Sequence, residues 1–274
     1  MASGIARILR ASSFVTIGGL VLLTSLAWLW LASGAGMPHG AQFSLAPFDP
    51  GGAPTAHATS GAMAMAMGDW SPRNVALTIS MWWIMMVAMM LPAAAPVVLL
   101  YDRSYRASYA AAASPIWSFL AGYLVAWGVF SIAAALAQIL LDRASLLSPA
   151  IMAFDERILS AIVLIAAGLY QLTPAKQACL RQCRNPAEFI ARYHSPGAAG
   201  AFRLGLIHGS YCLGCCWLLM VLLFVGGVMN LVWIAVLSMV VAVEKLLPRG
   251  KIAGLVFGYG FIAWGGWLLF SAWP

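Results

Sequence analysis

Seven apolar stretches, at 14–33, 75–100, 115–141, 155–174, 204–226, 229–247 and 252–271, leave this 274-residue chain little choice of fold. Each is about 20 residues long, the length an α-helix needs to cross a hydrocarbon core of ~30 Å. Backbone polar groups in hydrocarbon must be satisfied within the segment, so runs of this length form helices. Composition agrees: 63% of residues are hydrophobic and 8% charged, which excludes an ordinary soluble core. The expected fold is an all-α, polytopic transmembrane helix bundle of about seven spans. A net charge of +7 would suggest a nucleic-acid partner in a soluble chain. Here the basic residues gather at helix ends, so they read as topology signals and no nucleic acid is expected.

Those charges set an orientation. With the N-terminus inside, twelve of the 15 Lys and Arg residues fall on the cytoplasmic side and only Arg73, Arg143 and Arg157 fall outside. The C-terminus is then extracytoplasmic. Residues 1–33 form an N-terminal membrane anchor or signal-like helix. Its apolar stretch exceeds the usual signal-peptide length of about 7–15 residues, which favours an uncleaved anchor; cleavage would leave six spans. Residues 34–73, rich in Gly, Ala and Pro, read as a flexible extracytoplasmic loop. Residues 74–274 then form a six-helix membrane metal-binding domain with a cytoplasmic loop at 175–203. The short GGVMN connection between the fifth and sixth spans predicts an antiparallel hairpin of neighbouring helices.

All five cysteines lie between 179 and 216. Cys212, Cys215 and Cys216 form CLGCC inside an apolar run, one helical turn after His208. At 100° per residue, His208, Cys212 and Cys215 occupy an arc of roughly 60°, with Cys216 beside it. Thiolates and imidazole together suit a soft metal ion, Cu(I) above all. Gly205 and Gly209, four apart, mark a face where another helix can approach closely. Cys179 and Cys183 are also four apart, so on a helix they share a face with Cβ atoms about 5–6 Å from each other. Lys176, Arg181 and Arg184 surround that pair and favour thiolate. Inert buried thiols are the bland alternative, since cysteine behaves as a small hydrophobe.

Methionine adds to the pattern. Met81, Met85 and Met89 follow one another at helical spacing, with Met86 and Met90 in a second row behind them. Adaptable packing explains methionine well, most readily for that second row, whereas a soft-metal track explains five in ten residues. Pro92 and Pro96 are expected to interrupt this helix and free backbone carbonyls for other partners. Trp82 and Trp83 read as interface anchors, and Asp102–Arg103 and Asp142–Arg143 as solvated interface charges. In the outer loop His57, Met63, Met65 and Met67 offer possible metal capture, against simple Ala/Met/Gly filler. Near the inner end of the sixth span, Glu244 reads as a counter-charge or proton acceptor and Lys245 as an interface residue.

The stretches MWWIMMVAMMLP, YQLTPAKQACLRQCRNP, GSYCLGCCWLLMVLLFVGGVMN and VEKLLPRG together resemble a bacterial family of multi-spanning proteins. That family is described as predicted metal-binding integral membrane proteins, and some members are labelled copper chaperone. The likeness covers roughly 75–260. It implies a signature on Met85, Met86, Met89, Met90, Cys179, Cys183, Cys212, Cys215, Cys216, Glu244 and Lys245, and a multi-pass place in the bacterial inner membrane. The expected function is binding of copper(I) through Cys, Met and His ligands, for transfer, transport or delivery. Expected partners are the lipid bilayer, the metal ion, and a metallochaperone or membrane cuproenzyme. Zinc and haem fit less well, because thioethers abound while carboxylates and histidines within spans are scarce. Two other readings stand beside it: a membrane thiol–disulfide oxidoreductase, and a non-catalytic assembly subunit with buried cysteines. No enzymatic activity is expected on the copper reading.

Overall fold

The computed structural model describes residues 2–34, 70–108, 115–148 and 152–272, with side chains from residue 14 onward. The described residues are helical throughout, apart from turns and one isolated bridge between Leu147 and Phe154. In chain order the helices are α1 (Ala2–Ala32), α2 (Pro72–Ser108), α3 (Ile116–Arg143), α4 (Arg157–Leu172) and α5 (Pro174–Arg184). There follow α6 (Pro186–Tyr193), α7 (Gly197–Val221), α8 (Leu223–Gly226), α9 (Leu231–Leu246) and α10 (Gly250–Ala272).

Five stretches are long and apolar enough to cross a membrane: Phe14–Ala32, Pro72–Ser108, Ile116–Arg143, Gly197–Gly226 and Gly250–Ala272. A sixth qualifies if α4 and α5, bent by 64° at their junction, count together. The bend has a local cause. Pro174 cannot donate to the preceding turn, and the Thr173 hydroxyl caps the new helix by accepting from the Lys176 N–H at 3.3 Å. The remaining expected span, 229–247, becomes the 16-residue α9, about 24 Å long at 1.5 Å per residue. Large side chains such as Val129, Leu140, Met239, Val256 and Phe270 are exposed on the outer faces, as lipid-facing positions require.

Small residues set the tightest crossings. A Cβ added at Gly205 would stand 1.9 Å from the Phe119 carbonyl oxygen, and one at Gly209 2.6 Å from the Ala126 Cβ. The backbones of α3 and α7 therefore touch, as the Gly205/Gly209 spacing predicts. Gly168 and Gly258 do the same for α4 and α10, where a Cβ at Gly168 would meet the Gly258 oxygen at 2.6 Å.

Three local expectations are corrected. First, α2 is not interrupted: it runs unbroken through Pro92 and Pro96 to Ser108. Pro92 deprives the Ala88 carbonyl of its usual donor, and Trp28 Nε1 of α1 supplies one at 3.2 Å. Second, Trp82 is fully buried and donates to Gln138 Oε1 at 2.7 Å; Trp83 alone of the pair is exposed. Third, Asp102 is buried rather than solvated. It accepts from Thr16 Oγ1 at 3.1 Å and pairs with Arg106 one turn on at 2.9 Å. The hairpin after α7 also opens more than five residues suggest. The short α8 and Gly227, with φ +94°, separate α7 from α9. Lys245 near the end of α9 reaches Cys212 midway along α7; α7 is otherwise lodged against α3 and α5, and α9 against α2 and α10.

Candidate metal centre

Helix α7 is apolar on every face, so its sequence alone does not say which side turns inward. The glycines decide. With Gly205 and Gly209 against α3, the stripe of His208, Cys212, Cys215 and Cys216 is buried, each cysteine being 1% exposed. Side chains from five other helices converge on that stripe and the Gly214 beside it.

From α5 comes the cysteine pair. The Cys183 thiol lies within hydrogen-bonding reach of both Cys212 and Cys215. Cys179 lies against α7 at Gly214, where an added Cβ would stand 2.9 Å from the Cys179 Sγ. Gly214 is thus a close-approach glycine: any side chain there would push the sulfur away. Tyr170, in the last turn of α4, donates to the Gly214 carbonyl and fixes this side of the cluster. From α2, Met90 brings its Sδ to 3.9 Å from Cys216 Sγ. It belongs to the row that sequence pattern assigns most readily to packing. Met81, Met85, Met86 and Met89 are buried in the bundle core.

From α3, Tyr123 bridges the stripe. Its hydroxyl lies 3.2 Å from Cys212 Sγ and donates to the Met90 carbonyl at 3.1 Å, while its ring stacks on His208 at 5.7 Å between centroids. His208 sits in an aromatic nest with Phe119 and Phe189 as further neighbours, and its buried Nδ1 has no hydrogen-bond partner. From α9 comes Lys245, whose Nζ donates to Cys212 Sγ at 2.8 Å. The thiols of Cys215 and Cys216 both donate to the Cys212 carbonyl at 3.0 Å, the back-bonding that short polar side chains make inside a helix.

Beside the cluster lies a second buried charge group. Lys176 Nζ pairs with Glu244 Oε2 at 2.5 Å, and Gln171 Nε2 donates to Glu244 Oε1 at 2.7 Å. The partner of Glu244 is Lys176 of α5 rather than its neighbour Lys245. Lys176, which sequence places among the loop's basic residues, is 1% exposed.

All five cysteines are free, and among the described residues no group of three or more His, Cys, Asp and Glu side chains is disposed to hold a metal ion. The sulfurs are instead gathered about the Lys245 ammonium and the Cys212 carbonyl. The donor chemistry is nonetheless selective: thiols from two helices, a thioether from a third, and a glutamate already engaged elsewhere suit a soft cation and not a hard one. His57, Met63, Met65 and Met67 lie outside the described residues. Sequence reasoning passed over Tyr123, an aromatic in an apolar helix with nothing to distinguish it. It also misplaced Lys176 and Lys245, whose only signal was a cation within an apolar run.

Residues 79–268 match the family PpoB2, described as copper chaperone. No curated protein and no solved structure matches the chain.

Proposed function

The chain belongs to the PpoB2 copper chaperone family, and on that premise we propose that it carries Cu(I) on a buried sulfur cluster within the membrane. Cys183 of α5 and Cys212 and Cys215 of α7 hold the ion, Met90 and Cys216 complete the soft wall, and Cys179 stands at its edge. One observation carries this reading: cysteines 29 and 32 residues apart in sequence, on separate helices, lie within hydrogen-bonding reach of one another. Thiolates bring the charge that binds a soft cation, and burial keeps water from competing. His208 is a ring partner of Tyr123 at the end of the stripe, with Nδ1 available for an ion that moves along it. The cluster reads as one site, not as separate membrane and cytoplasmic sites.

With the N-terminus inside, the bias of basic residues turns α5 and the α9–α10 turn toward the cytoplasmic side of a bacterial inner membrane. The ion then passes between the cluster and a metallochaperone or a membrane cuproenzyme on that side. The outer loop, with His57, Met63, Met65 and Met67, gathers copper at the opposite face, and the methionines of α2 line the way inward. The task is transfer without chemical turnover.

The test is copper content of protein purified without oxygen and loaded with Cu(I). Wild type is expected to retain about one ion at the cluster, and Cys212→Ala/Cys215→Ala to lose it, as thiolate donors dominate Cu(I) affinity. Cys183→Ala is expected to lower retention as well, which a site confined to α7 would not show. Equal copper in all three proteins would refute the cluster. No copper in any, with a Cys183–Cys212 disulfide forming readily, would favour a thiol–disulfide oxidoreductase.

A further inference from the structure

A group of cations outside the sulfur cluster gathers at one end of the bundle. Arg181 and Arg184 of α5, with Arg249 and Lys251 at the start of α10, line a partly open cavity of about 530 Å³. No acidic side chain lines it. The two ion pairs among the described residues belong to other cations, Arg106 and Lys176. Of the acids close by in sequence, Glu244 is held by Lys176 and Gln171, and Glu188 accepts from Asn185 Nδ2 at 3.5 Å. Arg184 uses Nη2 alone on the protein, for the Leu247 and Pro248 carbonyls, and the rest of its fork of donors stays free. Gln177 lines the cavity as well, and its buried Oε1 has no hydrogen-bond partner; a half-turn of the amide offers an anion its NH2 instead. Basic residues at the end of a span ordinarily mark topology and stand in water. These differ in converging on one cavity from two helices distant in sequence.

We propose that this cavity is a phosphate site and that its ligand is the headgroup of an anionic phospholipid. Guanidinium forks match phosphate oxygens two at a time, and the volume falls among those of small-ligand sites, about 300–1,000 Å³. Position selects the lipid. Gly250 opens a stretch long and apolar enough to cross a membrane, so the cavity lies at the end of that stretch, where headgroups begin. Ile252, which lines the cavity, starts a row with Leu255, Val256 and Tyr259 at i, i+3, i+4 and i+7 on α10, all of them exposed. Cations beside a bare apolar row fit a phosphate joined to acyl chains. Free phosphate would use the first and leave the second. A bound headgroup would tie α5 to the start of α10 and reinforce the two Arg184 bonds. The inference goes beyond the copper reading and stands without it.

The test is binding of cardiolipin and of phosphatidylcholine to the intact, delipidated chain in detergent, counted by native mass spectrometry. Wild type is expected to retain cardiolipin through an excess of phosphatidylcholine. Arg181→Gln/Arg249→Gln/Lys251→Gln is expected to weaken cardiolipin binding on the order of a hundredfold, at roughly fivefold per cation near a membrane surface. Arg103→Gln/Arg192→Gln/Arg203→Gln removes as many exposed charges, none of which lines the cavity. It is expected to stay within about threefold of wild type, because exposed charges elsewhere are screened by salt. If the first variant does not fold, a photoactivatable phosphatidylglycerol on wild type gives the second readout, with labelled peptides expected within 177–185 and 248–259. Equal retention of the two lipids, wild-type affinity in the cavity variant, or labelling confined to other segments overturns the site. Ready displacement of cardiolipin by inorganic phosphate overturns the lipid as ligand. Copper content is read separately, so none of these outcomes bears on the cluster.

Discussion

The pair between Lys176 and Glu244 gives the sharpest test of the packing around the cluster. It joins the first turn of α5 to the last turn of α9 at 2.5 Å, with the two side chains 1% and 2% exposed. Glu244→Gln removes the negative charge but little volume. The Lys176 ammonium is then left in the bundle facing a neutral amide, with no water to solvate it. Removing one partner of a buried pair typically destabilises by about 3–5 kcal/mol. At this burial no discount for solvent screening is warranted. Replacing both partners, as Lys176→Met/Glu244→Gln, removes the orphaned charge as well. Gln171 can still donate to the new amide oxygen, so the double variant is expected within about 1–2 kcal/mol of wild type. The double variant is thus expected to be more stable than Glu244→Gln alone by roughly 2–3 kcal/mol, where independent sites would simply add. The assay is reversible unfolding in mixed micelles at rising denaturing-detergent fraction, followed by helicity and tryptophan fluorescence. A single-variant loss below about 1 kcal/mol, or a double variant as unstable as the sum of the singles, would refute the buried pair.

Three further outcomes follow from the same contacts. Gly205→Val is expected to abolish accumulation of folded protein, since its Cβ would lie 1.9 Å from the Phe119 carbonyl; Gly260→Val, where a Cβ meets nothing within 4 Å, is the control and is expected to fold normally. Gly214→Val is expected to dislodge Cys179, whose sulfur stands 2.9 Å from the new Cβ position, and to speed its alkylation by a maleimide severalfold, read by mass spectrometry. In a Cys179→Ser/Cys216→Ser background, mild oxidation is expected to join Cys183 to Cys212 or Cys215. After cleavage at Arg192 or Arg203 the two fragments should then stay together on a non-reducing gel, and their separation would refute the contact.

Much of the fold was legible because hydrocarbon allows so few structures. Length and hydropathy placed every described helix that is long and apolar enough to cross a membrane, and the Gly205/Gly209 spacing named the face that α3 occupies. The errors share one cause: a local signal was outweighed by a partner distant in sequence. Pro92 and Pro96 should break a helix in isolation, but α2 continues because Trp28, 60 residues away, takes up the Ala88 carbonyl. Asp102 reads as a surface charge until Thr16 and Arg106 are brought to it. The angular stripe on α7 is a property of helix geometry and needed no tertiary information. Cys179 and Cys183 differ: their four-residue spacing gave a shared face but not a destination. That depends on the 64° bend at Thr173–Pro174, which folds α5 back onto α7. A Thr-Pro step announces a break, but not its direction.

The two halves of the cluster are held in unlike ways, and this bears on how an ion could leave it. Cys212, Cys215 and Cys216 ride on α7, whose backbone is wedged against α3 at Gly205 and Gly209, a contact that cannot loosen gradually. Cys179 and Cys183 ride on α5, only 11 residues long, with Thr173–Pro174 at one end and Asn185–Pro186 at the other. Proline at the start of both α5 and α6 removes the N–H that would carry a continuous helix across each joint. Beyond its packing on α7, polar side chains tie α5 to the end of α9: Lys176 to Glu244, and Arg184 Nη2 to the carbonyls of Leu247 and Pro248 at 2.9 and 2.6 Å. All of these end on α9 or the turn after it, the helix that also carries Lys245 onto Cys212. The thiols of α5 and the ammonium of Lys245 therefore answer to one helix end. A partner that displaced the α9–α10 turn would loosen Cys183 and shift Lys245 off Cys212 in the same movement, changing two of the contacts that surround the Cys212 sulfur together. Neutral thiols cost little to bury, so such a site can stand without metal in hydrocarbon where a cage of carboxylates could not.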